Sequence, residues 1–329
     1  MWRKIIVFVL FVLPLTIAPA LADRAAAEKH YRAALELSKT DIGKAEAEFR
    51  AAIAEDGKYV PALLGLARLL LEAKGEPAEA VVYLDRALAQ DAENFEAHLM
   101  KGVCLLRIGG KDPLAEALES FKEAVRIQPD SPAAHRLLAL THAALGEAEE
   151  ARKEYETAVR LAPDDAQVRF ELGMLLVNMG RPAEAVPYLE KAAALGPKAP
   201  EYPWALGMTY KKMKKYAEAI ATLEKAATLA TGRMKAGILS DLGTVHAEKK
   251  DYKSAIACYE RALKESPEFA PAHYNLACAY ARQGKVAEAI KALAKAIELD
   301  PGFRELAKKD PDFDPIGDDK KFKELLEEK

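Results

Sequence analysis

The sequence predicts an all-α chain, a solenoid of about eight helix–turn–helix units closed by a C-terminal capping segment. Three observations predict it. An alanine, six residues and a second alanine recur as Ala45/Ala52, Ala80/Ala87, Ala117/Ala124, Ala151/Ala158, Ala185/Ala192, Ala219/Ala226, Ala255/Ala262 and Ala289/Ala296, in steps of 34 to 37 residues. A fixed period of this length marks a stacked repeat. A bulky residue stands four places after each first alanine: Phe49, Leu84, Phe121, Tyr155, Leu189, Leu223, Tyr259 and Leu293. Apolar residues across Ala166–Ala194 follow helical rather than alternating spacing.

Residues 1–22 read as an address. Arg3 and Lys4 precede the apolar run Ile5–Leu13, and Ala20-Leu21-Ala22 has the small-x-small form of a cleavage site. The stretch Ile5–Ala18 is 14 residues long and holds Pro14, short of the ~20 that a spanning helix needs. We expect a Sec-type signal cut after Ala22, no cysteine for lipidation, no membrane span in the remaining chain, and a periplasmic or secreted protein. The mature chain, 23–329, carries 46 basic and 51 acidic residues, a net charge of −5. This mixed, mildly acidic balance lacks the basic stripe of a nucleic-acid binder.

Residues 23–59 form a degenerate first unit whose opening helix lacks the small-residue signature, and we expect an N-terminal cap there. Residues 60–301 hold the regular units. Twelve places before the first alanine stands Gly or Ala: Ala139, Gly173, Gly207, Gly243 and Ala277, with Gly102 after an insertion. A small residue lets two crossing helices approach closely, and the bulky residue fills the space beside the crossing. Prolines at 129, 163, 197, 267 and 301 close units, since proline cannot continue a helix. Longer steps place insertions at Gly109–Pro113 and near Thr231–Lys235. Residues 302–329 leave the period but carry Phe303, Leu306, Phe313, Ile316, Phe322, Leu325 and Leu326 among charges, as a cover for the last repeat requires.

Catalytic and metal chemistry find no motif. There is no G-x-S-x-G, no H-E-x-x-H, no phosphate loop and no haem-attachment sequence. His98, His135, His142, His246 and His273 fall at repeat positions, which makes them structural; only His30 stands outside the frame. The run Asp310-Pro311-Asp312-Phe313-Asp314 opens like a calcium loop, but Pro315 and Lys321 stand where glycine and glutamate are needed. A capped turn is the better reading. We expect no catalytic residue, no metal, no cofactor and no small-molecule substrate. Of three cysteines, Cys258 and Cys278 fall on neighbouring helices, where one bridge or two free thiols both fit. Lysine pairs such as Lys211-Lys212 read as solvated helix ends.

The pattern resembles the tetratricopeptide repeat family, W-x2-L-G-x2-Y, then A-x3-F, then P, on a period of 34. The match is strongest over 132–301. Histidine replaces the first tryptophan at 98, 135 and 273. The resemblance implies a right-handed superhelix whose concave face is lined by the first helix of every unit. Its inner positions carry over to Leu99, Met100 and Val103; Arg136, Leu137 and Leu140; Phe170, Glu171 and Met174; Trp204, Ala205 and Met208; Ser240, Asp241 and Thr244; Tyr274, Asn275 and Cys278. The middle is apolar, as a partner site often is, and lacks the Lys/Asn/Arg set with which some relatives grip a C-terminal carboxylate. The expected partner is a protein, presenting a peptide or an amphipathic helix. The function this implies is a non-catalytic scaffold of the bacterial envelope for assembly or secretion. The alternative is an accessory subunit of an envelope enzyme complex for polysaccharide or peptidoglycan synthesis.

Overall fold

The computed structural model describes residues 17–327, with side chains from residue 23. Most of the expected signal lies outside the described residues. The first helix begins at Ile17 and continues through the expected cleavage point at Ala20–Ala22.

Among the described residues the structure is all helical, and its helices stack in pairs. The chain divides into two compact units, residues 1–154 and 155–329. The first contains α1 (Ile17–Leu37), α2 (Ile42–Glu55), α3 (Val60–Leu69), α4 (Pro77–Leu88), α5 (Phe95–Ile108), α6 (Lys111–Ile127) and α7 (Pro132–Ala144). The division falls inside α8 (Ala148–Leu161). The second contains α9 (Ala166–Asn178), α10 (Pro182–Leu195), α11 (Glu201–Lys212), α12 (Tyr216–Leu229), α13 (Gly232–Glu248), α14 (Tyr252–Glu265), α15 (Ala270–Arg282) and α16 (Val286–Leu299). It ends in α17 (Gly302–Ala307), a 3-10 turn at Pro311–Ile316 and α18 (Lys320–Glu327).

The repeat alanines are the floor of this packing. All sixteen are 0% exposed, and the eight bulky partners are buried with them. Small residues at the crossing are required by distance. A Cβ added to Gly243 would stand 2.4 Å from the Tyr259 ring, one on Gly102 2.5 Å from Phe121, and one on Gly173 2.7 Å from Leu189. Helix starts are fixed by side-chain caps: Asp41, Asn94, Ser131, Asp165 and Asp251 each accept a hydrogen bond from a backbone N–H in the first turn.

The insertions become extra helix. Gly109 and Gly110, at φ 70° and 89°, end α5 and lead into a 17-residue α6, and α13 is likewise 17 residues long. The second repeat hides its signature for a related reason. A π turn at Leu70–Lys74 inserts one residue, as such bulges do. Ala67 rather than Arg68 then takes the buried small position.

The opening helix corrects our expectation. Ala27 and Ala34 are both fully buried, so α1 carries small packing residues after all. Tyr31 packs against Phe49 and Tyr59, with ring centroids 6.0 and 5.5 Å apart.

Three of the histidines brace the backbone. The Nε2–H of His98, His135 and His273 donates to the carbonyls of Ala92, Pro129 and Pro267, six residues earlier, at 2.8–3.0 Å. Each ring thus ties the connecting turn to the helix that follows. Asp310 caps the 3-10 turn, accepting from the Asp312 N–H at 2.9 Å. All three cysteines are free and buried, and burial pushes the Cys104 thiol up to about 11.

Candidate partner-binding groove

In the second unit the odd-numbered helices α9, α11 and α13 lie side by side, and their facing side chains enclose a cleft of about 780 Å³. Phe170, Met174 and Val177 come from α9; Trp204, Ala205 and Met208 from α11; Asp241 and Glu248 from α13. Helical spacing explains the set: residues four apart share a face, so 170 and 174 point one way, as do 204 and 208. Phe170, Met174, Trp204 and Met208 are therefore brought together as the repeat frame placed them. All four are partly exposed.

Two polar contacts shape the walls. The Trp204 Nε1–H donates to Asp241 Oδ2 at 2.8 Å, which holds the indole across the cleft. Gly237 leaves room for that ring, its nearest approach from a Cβ being 3.9 Å. Burial raises the Asp241 carboxyl above the usual carboxylate range, against the lowering effects of the Trp204 bond and the Lys211 charge. Phe170 leans on Tyr202, ring centroids 5.2 Å apart.

One end of the cleft is basic. Lys211, Lys212 and Lys214 line it. Lys211 Nζ donates to Thr244 Oγ1 at 2.9 Å and pairs with Glu248 at 3.2 Å. Lys212 Nζ donates to the Val177 carbonyl at 3.0 Å. Glu201, at the start of α11, marks the other end. The charge-run reading of 211–215 missed that these lysines rim the cleft; only the fold of α11 beside α9 and α13 reveals it.

The remaining expected positions divide. In the first unit Leu99, Met100 and Val103 are partly buried and pack on the apolar core. Arg136 is half-buried, and Leu140 is exposed at 39%. At the other end the expectation needs correcting. Tyr274 is buried, stacked on Phe303 at 4.8 Å and set edge-on to Phe313 at 5.8 Å. Its hydroxyl donates to Asp310 at 2.6 Å. The tail therefore covers the position that a partner was expected to use. Asn275 is tied inward as well, donating to Ser240 Oγ at 3.1 Å.

Paired helices on a 34-residue beat, with a cleft between first helices, define a helical repeat scaffold for protein–protein interaction. Tetratricopeptide repeat models match residues 70–112, 114–170, 166–198, 201–268 and 240–302, and the chain belongs to the tetratricopeptide repeat family. SPINDLY of Arabidopsis thaliana, a probable UDP-N-acetylglucosamine–peptide N-acetylglucosaminyltransferase, is 36% identical over 83 residues, 25% of this chain and 8% of that protein. A tetratricopeptide repeat and J domain-containing co-chaperone of Fusarium oxysporum is 31% identical over 98 residues, 28% of this chain and 18% of that one. The chain thus spans less than a fifth of the length of these relatives.

Among solved structures, a tetratricopeptide repeat protein from Parabacteroides merdae superposes with TM-score 0.56 at 16% identity, over 77% of this chain and 98% of that one. The APC/C hetero-tetramer Cut9-Hcn1 gives 0.52 at 21% identity, over 87% of this chain and 53% of that one. These likenesses show the fold. Among the described residues no helix is long and apolar enough to cross a membrane.

Proposed function

We propose that this protein is a non-catalytic scaffold of the bacterial periplasm or envelope that holds a partner segment in the α9–α11–α13 cleft, in the service of envelope assembly or secretion. The observation that carries the reading is the apolar floor of Phe170, Met174, Trp204 and Met208. A contiguous, partly exposed apolar surface is costly in water and often marks a partner site. Aromatic anchors supply most of the energy at such sites, and methionine adapts to varied apolar partners. Envelope placement rests on Arg3, Lys4, the Ile5–Leu13 run and the Ala20–Ala22 pattern.

The test is photo-crosslinking in cells, with the probe at Trp204 and a control probe at Lys191, exposed on α10. The expected outcome is a discrete adduct from Trp204 only, lost in a Phe170→Ala/Met208→Ala background of unchanged helicity. Equal adducts from both probes, or an adduct indifferent to the alanines, defeats the groove reading. Fractionation after expression in a bacterium tests the location; retention in the cytoplasm overturns that part.

A further inference from the structure

The cleft is asymmetric in charge, and the asymmetry points to the chemistry of what fills it. Its floor follows α11, 12 residues long and thus about 18 Å, enough for about three turns of a second helix. Lys212 and Lys214 rim one end and Glu201 the other. Lys211 is already neutralised by Glu248, so the rim keeps a positive excess at Lys212 and Lys214.

A second observation is independent of the cleft. The turns after α3, α7, α9 and α15 each place glycine in the left-handed region, at Gly75, Gly146, Gly180 and Gly284 with φ from 69° to 82°. The turn after α11 has the same backbone bonds as those at Gly146, Gly180 and Gly284, Lys214 N–H to the Lys211 carbonyl and Lys215 N–H to the Tyr210 carbonyl. Yet Lys214 holds φ 58° there, and Lys250 holds φ 62° in the turn after α13. A side chain in this region is strained, and residues so held cluster at functional sites. Two lysines occupy glycine's place in the turns after α11 and α13, and one of them, Lys214, lines the apolar cleft.

We infer that the cleft takes an amphipathic helix whose apolar stripe ends in carboxylate side chains, seated against Lys212 and Lys214 and directed away from Glu201. The inference rests on the groove reading and adds the partner's chemistry and direction. Apolar side chains fill the floor, and the charged end sets polarity and rejects basic partners.

The experiment uses two labelled model peptides of about 15 residues, with the same leucine stripe and ending in either glutamates or lysines. Binding to the full chain is followed by fluorescence anisotropy. The acidic peptide should bind about fivefold tighter than its basic twin, as two exposed pairs allow, and the gap should shrink in high salt. K212E/K214E should reverse the preference. Lys214→Gly should raise the unfolding midpoint by about 2 °C while weakening the acidic peptide, a combination that a merely structural lysine does not give. Equal binding of both peptides, still lost in Trp204→Ala, overturns the charge inference and leaves the groove standing. Binding of neither, or binding indifferent to Trp204→Ala, overturns both. A response of the lysines to phosphatidylglycerol vesicles but to neither peptide also overturns the inference.

Discussion

Replacing Asp241 by asparagine and by leucine separates two effects of one carboxylate. Its oxygen receives the Trp204 indole N–H at 2.8 Å. Leucine removes that acceptor and leaves a part-buried donor unmatched, at a cost of about 1–3 kcal/mol. Asparagine keeps an acceptor of the same shape and removes the charge that burial disfavours. The sign with pH follows from the raised carboxyl. The folded chain keeps the Asp241 proton at a pH where the unfolded chain, at an ordinary 3.8, has lost it. The stabilising contribution is therefore present below the ordinary value and is lost as pH rises through the folded one. Asp241→Asn should match the wild type or exceed it at neutral pH and show a flatter pH slope, whereas Asp241→Leu should be weaker throughout. Repeat arrays unfold in parts, so the probe must be local. Trp204 emission during urea unfolding of residues 23–329, where it is the single tryptophan, supplies it. If asparagine destabilises as much as leucine, or the two pH slopes coincide, the assignment of that hydrogen bond and of the buried charge is wrong.

Two further outcomes follow from packing. Ending the chain after Asp300 removes Phe313, Ile316 and Phe322, each buried and contributing roughly 2 kcal/mol by burial. Hydrogen exchange should then accelerate in α15 and α16 but not in α9 and α10; unchanged protection of α15 would show that the tail is no cap. Gly243→Val forces a side chain into the Tyr259 ring, 2.4 Å from where its Cβ must sit. Overpacking of this kind costs about 1–3 kcal/mol. Combining it with Tyr259→Ala should cost less than the two single changes together, and strict additivity in denaturant titrations would exclude the proposed contact.

Much of the fold was legible because the sequence repeats a packing unit. An alanine that meets a neighbouring helix in one unit meets the same kind of neighbour in the next, so the constraint prints itself eight times. The same frame located Phe170, Met174, Trp204 and Met208 on one surface. It failed where the period breaks. At Ala67 a π turn absorbed one residue and shifted the small position by one place. At Tyr274 the frame showed a groove residue, but the non-periodic tail folds back and buries it under Phe303 and Phe313.

What the sequence by itself determined is therefore the local, repeated part: helix pairs, their small-residue crossings, the structural histidines and the apolar stripe of α9 and α11. What only the tertiary structure decided is which of those stripes stays open. Trp204 is held by Asp241 from 37 residues away, and the Lys211–Lys214 run becomes a rim because α11 lies beside α9 and α13. Such contacts join residues of different repeats. Their energy depends on a distance in space that no spacing along the chain encodes.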